Sequence, residues 1–194
     1  DAPSPQRVGN EQPQNVYGFS KLSMDYLARG FCAQHPSMSV IGLRYFNVYG
    51  PREYFKNKTA SMVLQLGLQI LSGKTPRLFY GSDKILRDFI YIDDVIQANI
   101  KAALSGKCGV FNVGTAKPRS FQDIADILQK ELGVNLGTEY FENPYIGAYQ
   151  MHTEADISLT CKALGYAPEV SLEEGIRAYV PEIRRIFESE VKRG

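Results

Sequence analysis

Histidine and cysteine are scarce in this chain: two of the first, His35 and His152, and three of the second, Cys32, Cys108 and Cys161. The cysteines lie far apart, are odd in number, and form no CxxC pair. That argues against a structural zinc and against a disulfide framework. It predicts buried or half-buried thiols in a reducing, cytoplasmic setting. Excess charge is lacking too, with 22 basic against 21 acidic side chains. No Lys/Arg run offers a surface to nucleic acid or to an anionic membrane. Apolar runs fall short of the roughly 18 residues that a membrane span needs. The opening DAPSPQRVGNEQPQ is polar and Pro-rich and does not read as a signal peptide. Also missing is the glycine-rich turn of a dinucleotide site: no GxGxxG or GxxGxxG occurs. VFNVGTAKPRS has one glycine in its turn, too few to let backbone approach a pyrophosphate.

What is present alternates between two periodicities, over a length of 194 residues that supports one domain or one and a half. A helix is predicted from Val16 to about Gln34, with Leu22, Tyr26, Leu27 and Phe31 on one face and Pro36 ending it. SVIGLRYFNVYG reads as a single buried strand that closes on a turn at Gly50 and Pro51. A helix over 59–72 and a short strand over 77–81 follow. RDFIYIDDVIQANIKAAL is a strand running directly into a helix, with Asp93 or Asp94 as N-cap. GVFNVG is a strand, and Ser120 with Asp123 is placed to cap a helix over 121–132. GTEYF reads as a strand, and 154–164 and 171–189 as helices, the second opening on the capping box SLEE. Strands alternating with helices predict an α/β protein with parallel pairing. The first 14 residues read as loop, so the chain looks as if it starts in mid-domain.

The stretch NVYGFSK puts Tyr17 and Lys21 four residues apart on one helix face. A cation beside a phenol favours phenolate. Such a phenol can exchange a proton with a sugar hydroxyl while hydride moves to a nicotinamide. Taken alone, YxxxK fits an ordinary amphipathic helix equally well.

Several motifs in order change that. NVYGFSK is followed by GLRYFNVYGPRE, by LFYGS, by RDFIYIDDV and by GAYQ. This wording resembles the extended short-chain dehydrogenase/reductases and, among them, the ADP-glycero-manno-heptose 6-epimerases. The likeness runs from about residue 11 to near the C-terminus. It implies the C-terminal part of a Rossmann-like parallel sheet plus a smaller α/β substrate domain. Residues 1–50 would be the tail of the dinucleotide-binding domain, 51–85 a substrate-domain insertion, 86–115 a returning strand and helix, and 116–194 the C-terminal substrate domain. About 120 residues of the dinucleotide-binding half would lie outside this chain, so the chain alone is expected not to turn over.

The resemblance also implies a reaction. NADP, or NAD, would oxidise carbon 6 of an ADP-heptose and return the hydride to the other face, feeding lipopolysaccharide core synthesis. Tyr17 would handle a proton on one face and Lys56 on the other. Lys58 is a rival for Lys56, and spacing from Pro51 favours Lys56. Lys21, Val48 and Lys56 would touch cofactor. Asn47, Lys58, Gln65, Arg87, Tyr149 and the segment Phe79, Tyr80, Gly81, Ser82 would touch substrate. The family often has a small hydroxyl residue where Lys58 stands and a histidine where Gln65 stands. No metal is implied, and the whole enzyme would form a homo-oligomer. Alternatives are a nucleotide-sugar 4-epimerase, a 4,6-dehydratase, or a non-catalytic relative with the same fold.

Overall fold

The computed structural model describes residues 6–9, 11–13, 15–144 and 150–192. In chain order the elements are α1 (Val16–Gln34), β1 (Ile41–Tyr45), β2 (Asn47–Tyr49), α2 (Met62–Leu71), β3 (Arg77–Phe79), β4 (Leu86–Arg87), β5 (Phe89–Tyr91), α3 (Ile92–Leu104), β6 (Gly109–Val113), β7 (Arg119–Ser120), α4 (Phe121–Leu132), β8 (Glu139–Phe141), α5 (Ser158–Leu164) and α6 (Leu172–Val191). A 3-10 segment, Tyr54–Thr59, lies between β2 and α2.

The helix carrying the Tyr17–Lys21 pair starts where Asn15 can cap it. The Asn15 side chain accepts the N–H of Gly18 at 2.8 Å. Its apolar stripe does not enter a core: Tyr26 and Leu27 are exposed, and Asp25 is the buried residue of the helix. No described element covers that stripe.

The stretch SVIGLRYFNVYG is two strands, not one. β1 pairs in parallel with β6, and β2 pairs in parallel with β5. The break falls at Phe46, whose N–H donates to the Val113 carbonyl at 3.0 Å; the next N–H, of Asn47, donates to the Asp88 carbonyl at 2.9 Å. The chain is handed from one neighbour to the other within a residue. β3 and β8 form a third parallel pair, while β4 and β7 are antiparallel, an exception to the expected pattern.

The main core lies between α2, α4 and α6 and the sheet residues beneath them. Leu66, Leu128, Ile176, Tyr179 and Ile183 are all essentially inaccessible. Close approach requires Gly67: a Cβ there would sit 2.9 Å from Cγ2 of Ile183. Both expected capping boxes form, Ser120 with Asp123 on α4 and Ser171 with Glu174 on α6. The helix predicted over 154–164 is shorter and begins at Ser158.

Two further expectations need correction. Neither Asp93 nor Asp94 caps α3; Tyr91 stands there with no side-chain bond. Asp94 is buried and accepts the N–H groups of Glu169 at 2.9 Å and Val170 at 3.1 Å, which anchors the approach to α6. Cys32 and Cys108 are disulfide-bonded across a sequence separation of 76, and Cys161 is the free thiol. Packing of the α1 C-terminus beside the turn before β6 brings them together, and cysteine spacing carries no trace of that.

Candidate active site

Tyr17 and Lys21 open onto a groove of about 840 Å³ between α1 and β1. The Lys21 ammonium lies 5.2 Å from the centre of the Tyr17 ring, over its face. Tyr17 is 72 % exposed. Charge further along the groove is already paired. Arg44 donates from Nε to Asp25 at 2.8 Å and from its terminal nitrogen to Glu11 at 2.5 Å. Burial raises the Glu11 carboxyl, but bonds from the backbone and from Arg44 outweigh it and leave it below its usual range. Lys21 has no ion-pair partner among the described residues, so its three donors are available to a ligand. This arrangement fits the ribose of a nicotinamide nucleotide. The fit is confined to that end, because a glycine-rich pyrophosphate turn is not part of the sequence.

Asn47 opens β2 and Val48 is its middle residue, just past the C-terminal end of β1; the C-terminal ends of parallel strands are where α/β proteins place ligand contacts. Asn47 is exposed, and Val48 packs against the small core around Ile90. The chain then turns through Gly50, at φ 142°, where a Cβ would lie 2.6 Å from Ile92 Cγ2. Lys56 and Lys58 follow on the 3-10 segment, both exposed, and neither ammonium has a partner among the described residues. Lys56 is not among the residues lining the Tyr17 groove.

A second cleft, of about 600 Å³, brings together Gln65, Phe79 and Ser82 with Arg77, Phe121 and Phe141. Phe79 and Phe141 meet edge to face at 4.9 Å, and the Arg77 guanidinium lies 4.9 Å from the Phe141 ring centre. Ser82 is 1 % exposed, and its hydroxyl has no partner among the described residues. A buried hydroxyl left unbonded costs on the order of 1–3 kcal/mol. Gly81 turns the chain here at φ 78°. Tyr80 stacks on Tyr140 with ring centres 5.9 Å apart, and both rings reach solvent. Gln65 is directed at backbone: its amide donates to the carbonyls of Lys58 at 3.3 Å and Ala60 at 2.6 Å.

Arg87 is interior, at 7 % exposure, with its guanidinium bonded to the carbonyls of Leu86 at 2.8 Å and Gln150 at 2.5 Å. Tyr149 lies outside the described residues.

Sequence reading passed over two acids that build the site. Asp88 is fully buried; Oδ1 accepts the N–H and hydroxyl of Thr115, both at 2.7 Å, and Oδ2 accepts the N–H groups of Ala116 at 2.9 Å and Ala155 at 3.0 Å. It ties β5 to the turn after β6. Glu53 is also buried and closes the lysine loop on Ser61. The available signal was an acid set among apolar and turn residues, in RDFIY and in GPRE.

Parallel strand pairs flanked by helices, with the Tyr17–Lys21 pair on the first helix, define an α/β protein of Rossmann-like type. Residues 3–114 match the NAD dependent epimerase/dehydratase family, and the chain belongs to that family. The crystal structure of ADP-L-glycero-D-manno-heptose-6-epimerase from Helicobacter pylori is similar at 48 % identity and a TM-score of 0.82, covering 94 % of this chain and 55 % of that one. UDP-glucose 4-epimerase from Thermotoga maritima, solved with UDP-glucose, is 30 % identical with a TM-score of 0.81, covering 90 % and 55 %. UDP-glucuronic acid 4-epimerase from Bacillus cereus, solved with NAD, is 31 % identical with a TM-score of 0.75, covering 91 % and 54 %. The chain thus spans a little over half the length of these relatives. Among the described residues, no helix is long and apolar enough to cross a membrane.

Proposed function

We propose that this chain is the substrate-binding and proton-handling part of an ADP-heptose 6-epimerase. The observation that carries the reading is the Tyr17–Lys21 pair on an open groove, together with two unpartnered lysines after GPRE and 48 % identity to a heptose epimerase. NADP, held by Lys21 and Val48, would supply reversible hydride transfer at carbon 6 of ADP-D-glycero-β-D-manno-heptose.

The chain's own residues do the rest. Tyr17 takes the proton of the carbon-6 hydroxyl on one face, and Lys21 supplies the neighbouring positive charge and holds the nicotinamide ribose. Lys56 delivers a proton on the opposite face, so that the product is the L-glycero epimer. Val48 supports the cofactor at the strand end, and Asn47 and Lys58 contact the sugar. The aromatic cleft takes the adenine end of ADP between Phe79 and Tyr80, with the Ser82 hydroxyl as its polar contact and Gly81 allowing close approach. Arg87 and Tyr149 serve the diphosphate. The whole enzyme is a homo-oligomer, and the uncovered apolar stripe of α1 supports that. The product would enter a heptosylated surface glycan such as the lipopolysaccharide core.

The second reading is a 4-epimerase acting on a UDP-hexose, favoured by the likeness to the Thermotoga enzyme. NMR of the complete enzyme separates the two. Conversion of ADP-D-glycero-D-manno-heptose to its carbon-6 epimer, lost in Tyr17→Phe and Lys56→Met, supports the first. An untouched heptose with a converted UDP-hexose overturns it. Bound cofactor with neither sugar converted leaves a non-catalytic relative.

A further inference from the structure

The proposed chemistry gives Glu53 no role, yet Glu53 closes the loop that carries both lysines. It is 4 % exposed. One carboxylate oxygen accepts the Ser61 N–H at 2.8 Å, and the other accepts the Ser61 hydroxyl at 2.5 Å. Its backbone carbonyl accepts the Lys56 N–H at 2.9 Å. Ser61 is itself the N-cap of α2, accepting from the Leu64 N–H at 3.3 Å. The acid therefore joins the start of the loop to its end, and both to the first turn of a buried helix.

The loop between is bonded throughout. Thr59 Oγ1 donates to the Lys56 carbonyl at 2.8 Å, and the Gln65 amide holds the carbonyls of Lys58 and Ala60. Asn57, between the two lysines, has φ 49° and ψ −122°. A non-glycine residue in such a region costs on the order of 1–3 kcal/mol and persists only where its surroundings over-determine it. The preceding turn is fixed as well: Arg52, at φ 71°, donates its N–H to Glu182 of α6 at 2.8 Å. Around Glu53 the wall is α6. Burial, and then the Glu53 charge, push the Tyr179 phenol well above its usual value. A carboxylate is costly to bury without hydrogen-bonding partners; among the described residues the Ser61 N–H and hydroxyl at the loop's far end donate to it, and the Tyr179 phenol of α6 faces it.

We propose that Glu53 is a positioning residue for Lys56: its carboxylate cinches the loop onto the α2 N-cap and so fixes where the Lys56 ammonium stands relative to the sugar. The proposal rests on the reading of Lys56 as the second proton-handling group.

Glu53→Gln turns one accepting oxygen into a donor facing Ser61. In the complete enzyme the variant is expected to lose about tenfold to hundredfold in kcat, the scale of a misplaced group, while KM for the ADP sugar holds. Backbone amides of residues 56–61 should exchange with solvent faster than in the parent. Ser61→Ala, which keeps the N–H bond but removes the hydroxyl donor and with it the α2 cap, should show a loss of the same kind and guards against a Glu53→Gln that fails to fold. Unchanged exchange in the loop, or kcat held while KM rises, would overturn the proposal. Lys56→Met separates the two failures. If that variant stays fully active, the second-base reading falls and takes the positioning of Lys56 with it. If it is dead while Glu53→Gln and Ser61→Ala are fully active, only the positioning role falls.

Discussion

The Lys21 ammonium sits 5.2 Å from the centre of the Tyr17 ring, one turn further along α1. Removing the phenolic hydroxyl should therefore cost more than removing the charge. Tyr17→Phe is expected to lower kcat of the complete enzyme by 10²–10⁴, roughly the range of general acid–base catalysis. Lys21→Met should lower kcat less and also weaken binding of the nicotinamide nucleotide, measured by fluorescence titration. Equal cofactor affinity in Lys21→Met and the parent would remove Lys21 from the cofactor site.

The Ser82 hydroxyl is buried and unbonded among the described residues. Ser82→Ala should leave folding stability unchanged or slightly raised, because an orphaned polar group is deleted. Affinity for ADP should fall about tenfold, near 1.4 kcal/mol. Calorimetric titration with ADP and thermal denaturation read the two effects separately. A Ser82→Ala variant that is less stable but binds ADP normally would show a structural hydroxyl instead.

Asp88 accepts four hydrogen bonds inside the protein. Asp88→Asn presents N–H donors to at least one of those N–H groups. The loss should be about 3 kcal/mol, the range for removing one partner from a buried charged network. Urea denaturation should show a lower midpoint with an unchanged slope.

Arg119 pairs with Asp123 at 3.2 Å and with Glu173 at 2.8 Å, joining α4 to α6. Burial raises both carboxyls, but the bond from Arg119, with bonds from Ser120 for Asp123, outweighs it and holds each below its usual range. A depressed folded value means stability that is present above the ordinary carboxylate range. It is lost as pH falls through the depressed values, below about 4. All three groups are partly exposed, so the total is under about 1 kcal/mol. The stability gap between the parent and Arg119→Gln should be largest at neutral pH and close at low pH. A gap independent of pH would rule the ion pairs out as its source.

The Cys32–Cys108 disulfide spans 76 residues of sequence. Unfolded without reductant, the chain should titrate one thiol, Cys161, and three after reduction. Reduction should cost up to about 4 kcal/mol if loop-closure entropy dominates. Three free thiols in the unreduced protein would restore the expectation drawn from cysteine spacing.

Local chemistry was legible from the letters. Ser120 with Asp123 and Ser171 with Glu174 each mark a helix start through bonds that span only three residues. The Tyr17–Lys21 pair is legible for the same reason. Acids whose partners lie beyond the local turn were misread or passed over. Asp94 looks like a cap for the helix beside it, but its partners are Glu169 and Val170, some 75 residues on. Cys32 has its partner 76 residues away, and no spacing rule reaches that far.

The aromatic cleft shows the same division. FYGS marks a strand and a turn, but only folding sets Phe79 against Phe141 and buries the Ser82 hydroxyl without a partner among the described residues. Gln65 lines the cleft, and folding alone directs its amide nitrogen to carbonyls of the lysine loop.

The sequence by itself determined the alternation of helix and strand, the starts of α1, α4 and α6, and which residue types could move a proton. Those depend on side-chain periodicity and on bonds within one or two turns. Tertiary structure alone decided which buried acid holds which loop, where the strand run changes partner, and which hydroxyl is left unbonded. Each of those is a choice among distant groups competing for the same donor or acceptor, and packing settles it.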